Sequence, residues 1–331
     1  MSATPKVSVC ITAYNHEAYI REAIDSVLAQ KVNFPIEILI GEDCSTDGTR
    51  AIVQQYERNH PDLIRAFYHS GKDKTIIDGR VTGRKNFVNN LLHARGDYIA
   101  LLDGDDFWIN ENKLATQVEF LDSNPSYSLC FHNAIHVNEN SVFLDALAVP
   151  ALSSELTFLD ILKTNPVPTM SCLFSNPYFK ELPTWFYQTD MGDWPLHIMS
   201  AARGKMRYMP VVMAAYRIHD RGIWQSFRDD EATALLSQIK VWQLLRENKI
   251  LDDDKYFCRR IDMNYRRAIR GLLLKNATYE ASSELRNRRS VMGVYDGFHI
   301  KQVIKIAAVK VWRSRYVRRC KLMTQALKAR I

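Results

Sequence analysis

The sequence of 331 residues lacks any run of about eighteen uncharged apolar residues, the length that indicates a membrane-spanning helix. It also lacks the charged, apolar and cleavage regions of a secretion signal, since MSATPKVSVCITAYN leads directly into a β-branched stretch. We therefore predict a protein that is made and kept in the cytosol. A hydrophobic content of 47% argues against a disordered chain and is enough for a large core.

Cysteine is scarce and follows no pattern. The six cysteines include no CxxC pair and mostly have apolar neighbours; they are Cys10, Cys44, Cys130, Cys172, Cys258 and Cys320. This distribution is not that of a zinc site or a disulfide framework. It predicts reduced thiols with structural roles.

Acidic residues are missing from the C-terminal segment, residues 298–331, which carries ten Lys or Arg. The whole chain has a formal net charge of +7, so the preceding residues together carry −3. Apolar residues at three- and four-residue spacing predict a basic amphipathic helix, suited to peripheral contact with the anionic inner face of the cell membrane. Packing of the apolar stripe on preceding helices is the alternative. Nucleic acid is disfavoured because no nucleic-acid motif accompanies the charge.

The N-terminal third of the chain alternates between buried strand patterns and helical patterns. Apolar, β-branched runs occupy residues 7–14, 36–43 and 97–106, and helical spacing occurs over residues 16–30, 45–59 and 84–94. The alternation predicts an α/β fold with a mostly parallel sheet flanked by helices. In such a sheet ligands bind beyond the carboxyl ends of the strands, where polar residues follow each run here.

The pattern changes towards the C-terminus. We predict helices over 113–121 and 194–203 and strands over 128–137 and 207–219. After about residue 224 only helical patterns occur, over residues 231–247, 254–275, 279–289 and 301–330. We therefore expect two parts, residues 1–224 and an all-helical region over 225–331.

Three carboxylates crowd the end of the third strand pattern, in ALLDGDDFW. Asp103, Asp105 and Asp106 have only Gly104 between them. Carboxylates this close repel and raise one another's pKa, so a positive partner is expected among them. Mg²⁺ or Mn²⁺ bound together with a diphosphate would supply that charge. Taken alone, a DxD triplet is more often a plain acidic turn after a strand.

Three motifs in order favour the metal: VSVCITAYNHEAYIREAIDSVLAQ, IEILIGEDCSTDGT and ARGDYIALLDGDDFW. Together they resemble the family 2 glycosyltransferases, over residues 5–222. The resemblance implies a GT-A fold for residues 1–224 and inverting hexosyl transfer from a nucleotide-diphosphate donor, most commonly a UDP-sugar. A glycan or lipid-linked acceptor in bacterial cell-surface polysaccharide synthesis is the implied setting.

The resemblance also implies roles for single residues. The donor-binding positions of the family match Thr12, Ala13, Tyr14, Glu17 and Asp43, and the ribose-side position matches Asp103. The metal position matches Asp105. His219, in YRIH, is placed to reach the metal or the diphosphate, with a purely structural histidine as the alternative.

The general base of the family precedes a helix in a short acidic motif, which MGDWPLHI matches. The base must approach the acceptor hydroxyl on the face of the sugar opposite the leaving group. We assign this role to Asp193, with Asp190 one turn away as the rival. Asp193 is also placed to cap the following helix, and the two roles are compatible.

Other side chains are candidates for substrate contacts. Four cations are candidates for stabilising the charge of the diphosphate, with a solvated surface charge as the alternative for each: Arg84, Lys85, Arg217 and Arg221. Trp108 and Trp194 are candidates for stacking on sugar rings, although tryptophan is more often found in the core. Thr169 and Ser171, in PVPTMSC, match a family segment that lines the acceptor side.

Other classes of protein fit the sequence less well. A nucleotidyltransferase would have a glycine-rich basic loop near its N-terminus, and an aspartyl-phosphate hydrolase would have its DxD at the first strand. This chain has TAYNHEAY there. A non-catalytic nucleotide- or glycan-binding module at the membrane surface would not need both DGDD and GDW. We therefore expect an enzyme.

Overall fold

The computed structural model describes residues 4–77, 80–146, 153–176, 181–220, 231–251 and 253–274, and also 280, 283–284 and 287. The chain divides into two compact units, Met1–Ser226 and Phe227–Ile331. Arg221 and the helix expected over 301–330 lie outside the described residues, as does most of the helix expected over 279–289.

A ten-stranded mixed sheet forms the centre of the first unit. The described strands are β1 (Val7–Ala13), β2 (Ile36–Glu42), β3 (Ile64–Tyr68), β4 (Thr75–Ile77), β5 (Arg80–Thr82), β6 (Tyr98–Asp103), β7 (Phe107–Trp108), β8 (Tyr127–Val137), β9 (Phe143–Ala146), β10 (Glu155–Leu156), β11 (Leu173–Ser175) and β12 (Lys205–Arg217). The order in the sheet is β10-β12-β8-β11-β6-β1-β2-β3, with β7 on β12 and β9 on β8. Strands β4 and β5 form a separate pair.

Strand β1 lies in the middle of the parallel part of the sheet. It pairs in parallel with β2 and with β6, and β2 pairs in parallel with β3. Its side chains are buried on both faces, which explains the continuous apolar run in the sequence. The register places Thr12 beside Gly41 of β2 and Asp103 of β6, so the carboxyl ends of these strands meet at one edge. The predicted α/β sheet is confirmed.

Helices of the first unit flank this sheet, and α7 and α8 belong to the second unit. The described α-helices are α1 (Ile20–Leu28), α2 (Thr49–Asn59), α3 (Arg84–His93), α4 (Lys113–Ser123), α5 (Phe158–Lys163), α6 (Asp193–Ala201), α7 (Glu231–Glu247) and α8 (Asp254–Leu274). Helix α1 buries Ile20, Ala23, Ile24 and Val27, the spacing that predicts it. It begins at Ile20 and not at residue 16, because the backbone N–H groups of residues 15–17 donate to side chains in the loop after β2 and at the start of α2.

The described part of the second unit is helical. Helices α7 and α8 pack on each other, with Ala232, Leu235 and Ala268 in a small apolar cluster. In the part of the chain that the structure describes, no helix combines the length and apolarity needed to cross a bilayer. The five cysteines described are free thiols, as predicted, and Cys320 lies outside the described residues.

Candidate active site

Two loops meet at the carboxyl edge of the sheet, one after β1 and one after β2. Asn15 and Cys44 adopt left-handed backbone conformations, with φ of 55° and 60°, so each loop turns sharply. Asn15 N donates to Ser45 Oγ (3.0 Å), and Gly48 N donates to Glu17 Oε2 (2.8 Å). The carboxylate of Glu17, a predicted donor-binding residue, therefore joins the two loops.

Asp43 lies buried just beyond the end of β2, beside a lysine and an exposed tyrosine. Lys74 Nζ is 3.8 Å from Asp43 Oδ2 and 3.5 Å from the ring centre of Tyr14. Burial raises the pKa of Asp43 above its usual value. Tyr14 is 44% exposed, and an exposed aromatic ring can stack on a planar base. Sequence reasoning misses Lys74, which has no motif around it.

Asp103 ends β6 and is bonded to β1. Thr12 Oγ1 donates to Asp103 Oδ1 (2.7 Å), and Gly104 N donates to Thr12 O (2.8 Å). Burial, together with the charges of Asp105 and Asp193, raises the pKa of Asp103. Asp193, from a distant part of the chain, is one of the charges that raise the pKa of Asp103. We use the name acidic corner for residues 103–106.

Two histidines flank Asp105. His219 Nε2 lies 3.0 Å and His16 Nε2 lies 3.5 Å from Asp105 Oδ2. Burial opposes ionisation of Asp105, but the two imidazoles outweigh it and lower the pKa of this carboxyl. His219 also packs on Tyr19, with 5.0 Å between ring centres. Sequence reasoning misses His16, although its place just after a predicted strand end is an available signal.

The surroundings of Asp105 suit a metal site that is shared with a substrate. Within the described ranges, no group of three or more His, Cys, Asp or Glu side chains is arranged as a metal centre. Asp105 and His219 nevertheless present an oxygen and a nitrogen 3.0 Å apart. Two neighbouring ligands of an octahedral ion, each about 2.1 Å from it, have about this separation. These residues fit Mg²⁺ or Mn²⁺ if phosphate oxygens and water complete the shell.

Arg217 lies buried beneath the acidic corner. Its backbone N donates to Asp106 Oδ1 (2.8 Å), and its Nε donates to Asp105 O (2.8 Å). Its Nη2 donates to Glu22 Oε2 (2.5 Å), and its Nη1 donates to Ser141 Oγ (3.0 Å). Because the residue is only 3% exposed, the alternative of a solvated surface charge is wrong for Arg217. Its contacts hold the backbone of the corner.

Asp193 is the first residue of α6. The N-cap is Gly192 and makes no side-chain capping bond, so Asp193 does not cap the helix. Asn165 Nδ2 donates to Asp193 Oδ2 (2.7 Å). His197 Nδ1, one turn further along α6, lies 2.9 Å from Asn165 Oδ1. Sequence reasoning misses both Asn165 and His197.

Arg84, at the start of α3, is buried against the loop that leads into α6. Its Nε donates to Thr189 O (2.9 Å), and its Nη2 donates to Met191 O. Burial lowers the pKa of Arg84 to about 10, which leaves it a cation at neutral pH. Its contacts thus support the segment that carries both candidate bases, and the alternative of a solvated surface charge is wrong for Arg84 as well.

The two candidate tryptophans lie in the core. Trp108 is 4% exposed and its indole N–H donates to Met170 O (2.9 Å). Trp194 is 2% exposed and its indole N–H donates to Ile161 O (2.8 Å). Their rings are therefore not available for stacking on a sugar, and the core alternative is correct for both.

The remaining candidates for substrate contacts differ in burial. Lys85 is exposed, and its Nζ is 2.5 Å from Asp73 Oδ1. Thr169 and Ser171 lie in a short 3-10 turn, where Ser171 is buried and its hydroxyl donates to Pro168 O (2.7 Å). Ser171 is therefore held in the fold by its own turn.

The fold and the acidic corner can now be compared with known proteins. The family model described as Glycosyl transferase family 2 matches residues 8–172, a stretch that includes the edge of the sheet and the acidic corner. The chain belongs to the family 2 glycosyltransferases, as the motifs predict.

Two relatives illustrate the range of similarity. Rv1520 of Mycobacterium tuberculosis, an uncharacterized protein, is 33% identical over 225 residues, covering 68% of this chain and 62% of Rv1520. The chain therefore spans less than two thirds of the length of that relative. WfaP of Escherichia coli, a UDP-Glc:alpha-D-GlcNAc-diphosphoundecaprenol beta-1,3-glucosyltransferase, is 26% identical over 214 residues, covering 64% of this chain and 77% of WfaP.

Two solved structures share the fold. S. aureus TarS 1-349 has a TM-score of 0.59 at 19% sequence identity, covering 87% of this chain and 80% of TarS. It has also been solved with UDP-GlcNAc. The mannosyltransferase PcManGT from Pyrobaculum calidifontis, in complex with GDP-Man and Mn²⁺, has a TM-score of 0.51 at 16% sequence identity. The match covers 94% of this chain and 88% of PcManGT. The predicted GT-A fold with a C-terminal helical region is confirmed.

Proposed function

We propose that the protein is an inverting glycosyltransferase that moves a hexosyl group from a nucleotide-diphosphate sugar to a hydroxyl of a glycan or lipid-linked acceptor. The observation that carries the proposal is the acidic corner, where Asp105 Oδ2 lies 3.0 Å from His219 Nε2 and 3.5 Å from His16 Nε2. Inverting transfer needs a place for a metal diphosphate and a carboxylate that takes a proton.

The proposed reaction uses Asp193 as the general base. Asp193 takes the proton of the acceptor hydroxyl, and the hydroxyl oxygen attacks the anomeric carbon of the donor. The bond from that carbon to the diphosphate breaks on the opposite face, so the configuration inverts and the electron pair leaves with the diphosphate. Asp105 and His219 would hold Mg²⁺ or Mn²⁺, which neutralises charge on the leaving group.

The donor is proposed to be a UDP-sugar. Thr12, Ala13, Tyr14, Glu17 and Asp43 bind the nucleotide in this proposal, with Asp103 at the ribose and Arg84 and Lys85 toward the diphosphate. TarS has been solved with UDP-GlcNAc, and the name of WfaP includes UDP-Glc, which supports uridine. The complex of PcManGT with GDP-Man and Mn²⁺ supports the proposed metal. It is also the reason to test GDP-sugars as donors beside UDP-sugars.

The acceptor is proposed to be carried on a lipid diphosphate. The name of WfaP describes such an acceptor, a diphosphoundecaprenol-linked sugar. The basic segment over residues 298–331 would bring the enzyme to the anionic membrane surface where such acceptors lie.

Release of nucleotide diphosphate in the presence of a polyprenyl-diphosphate-linked sugar tests the proposal. With a suitable donor we expect turnover in Mn²⁺ and loss of turnover in chelator. Asp105→Asn and Asp193→Asn should fold and lose at least about 10²-fold in rate, whereas the exposed Asp62→Asn should match wild type. Wild-type turnover by Asp105→Asn or Asp193→Asn would overturn the role of that residue.

Thermal-shift measurements separate binding from catalysis. A ligand at 100 times its Kd stabilises by about 2.7 kcal/mol, so UDP or GDP with Mn²⁺ should raise Tm clearly. Asp105→Asn should lose the contribution of Mn²⁺ to this shift. A chain that binds the donor but transfers no sugar to any acceptor would favour the non-catalytic binding module instead.

A further inference from the structure

Asn165 lies between the proposed general base and a buried histidine. We infer that Asn165 is the positioning residue of Asp193, and that His197 fixes the orientation of Asn165. The inference rests on the proposed function, in which Asp193 takes the proton of the acceptor. It assigns a role to a side chain that none of the recognised motifs contains.

The bond from Asn165 to Asp193 is short and charge-assisted. Asn165 follows α5, and its Nδ2 donates to Asp193 Oδ2 at 2.7 Å. Such a bond to a carboxylate is about twice as strong as one between neutral groups, and it stabilises the ionised form. None of the described residues donates to Asp193 Oδ1. One oxygen is therefore held by the protein, and the other is left for the acceptor hydroxyl.

Two donors determine which way the amide of Asn165 points. Val167 N donates to Asn165 Oδ1 (3.4 Å), and a backbone N–H can only donate. His197 Nδ1 lies 2.9 Å from the same oxygen, so this ring nitrogen carries the proton in that bond. The amide oxygen is thus occupied, and the NH₂ group faces Asp193. A flipped amide would place two oxygens against each other at the carboxylate.

His197 is suited to a fixed role because it stays neutral. The side chain is fully buried in α6, and burial lowers its pKa to about 4. At neutral pH it therefore has one ring proton, which the bond to Asn165 uses. The helix that carries both His197 and Asp193 is anchored by the bond from Trp194 to Ile161 O (2.8 Å). The three polar side chains form one chain of bonds on a rigid support.

Asn165→Ala tests the inference in the full-length enzyme. We expect kcat to fall about 10- to 100-fold, the size of a lost bond to a charged group, with the donor KM unchanged. A fall in kcat with an unchanged donor KM separates positioning of the base from a loss of donor binding. The exposed Asn140→Ala is the matched control and should behave as wild type.

Two further variants separate positioning from a general loss of structure. Asn165→Asp keeps the shape but replaces the NH₂ donor by an acceptor oxygen beside Asp193, so its kcat should fall at least as far as that of Asn165→Ala. In the Asp193→Asn background, Asn165→Ala should cause no additional loss, because the two residues act as a unit. An equal loss in both backgrounds would show that Asn165 only supports the fold, and would overturn the inference.

The outcomes distinguish this inference from the proposed function. If the wild type transfers no sugar, the proposed function fails and the inference fails with it. If the wild type is active and Asp193→Asn is inactive, an unchanged kcat in Asn165→Ala overturns the inference alone. If Asp193→Asn stays active, the function stands without this base, and a partner of Asp193 has no role in it.

Discussion

Lys113, the first residue of α4, has its ammonium group in the core of the first unit. Its Nζ donates to Gln117 Oε1 (2.8 Å) and lies 4.0 Å from the ring centre of Trp108. Burial lowers the pKa of Lys113 from 10.5 to about 7. The group takes no part in the proposed reaction, so its titration acts on stability alone.

The lowered pKa of Lys113 predicts how stability changes with pH. Between about pH 7 and pH 10 the unfolded chain holds a proton on this lysine that the folded chain has lost, so raising the pH favours the folded state. The wild type should gain stability relative to Lys113→Met by up to about 1.4 kcal/mol per pH unit in this window. Urea unfolding of both proteins at about pH 6, 7.5 and 9 measures the difference. A difference that does not vary with pH would contradict the prediction.

Single residues differ in how far a sequence can identify them. Thr12 and Asp103 stand at predicted strand ends within motifs, so their meeting at 2.7 Å follows from a parallel sheet. Asn165 and Lys74 have no such signal, because only folding brings them to their neighbours. The burial of Arg217 is also invisible in the sequence, since three of its six hydrogen-bond partners are backbone carbonyls, which any residue supplies.

At the scale of elements, the backbone just before β6 lies very close to the backbone at the start of β1. Gly96 N donates to Ser8 Oγ (2.8 Å), and Ser8 Oγ donates to Glu37 Oε1 (2.6 Å) on β2. A Cβ on Gly96 would lie 2.6 Å from Ser8 N and 2.8 Å from Val7 C, which are backbone atoms that cannot move aside alone. The hydroxyl of Ser8 therefore links β1 to β2 and to the residue just before β6.

The close approach at Gly96 predicts a selective glycine effect. Gly96→Ala should lower the free energy of unfolding by about 1–3 kcal/mol, the usual cost of overpacking. Gly71→Ala is the matched control, because no atom lies within 4 Å of its added Cβ, and it should change stability by less than about 0.5 kcal/mol. Urea unfolding measures both variants. Equal stability of the Gly96→Ala and Gly71→Ala variants would contradict the close approach between Gly96 and the start of β1.

The elements of the first unit are predictable to different degrees. Strands β1 and β2 and helix α1 follow from apolar runs and helical spacing, because each is buried by its own pattern. The short strand β11 is not predicted, nor is its antiparallel insertion between β6 and β8. A three-residue strand carries too few side chains for a period, so its place is decided by pairing with its neighbours.

At the scale of the whole molecule, charge is divided unevenly along the chain. Residues 298–331 carry ten Lys or Arg and no acid, while the preceding residues together carry −3. Near an anionic surface each of these cations contributes about 1 kcal/mol, and salt weakens the attraction. The proposed membrane contact should therefore depend on this segment and on ionic strength.

Cosedimentation with lipid vesicles tests that contact. The full chain should bind vesicles that contain phosphatidylglycerol, bind those of phosphatidylcholine alone much more weakly, and be released by high salt. A chain that ends at residue 297 should not bind. A variant with Lys301, Lys305, Lys310, Arg313 and Arg318 changed to Gln keeps the apolar stripe, so loss of binding in it assigns the attraction to charge. Equal binding by the shortened chain would mean that the basic segment is not what holds the protein at the membrane.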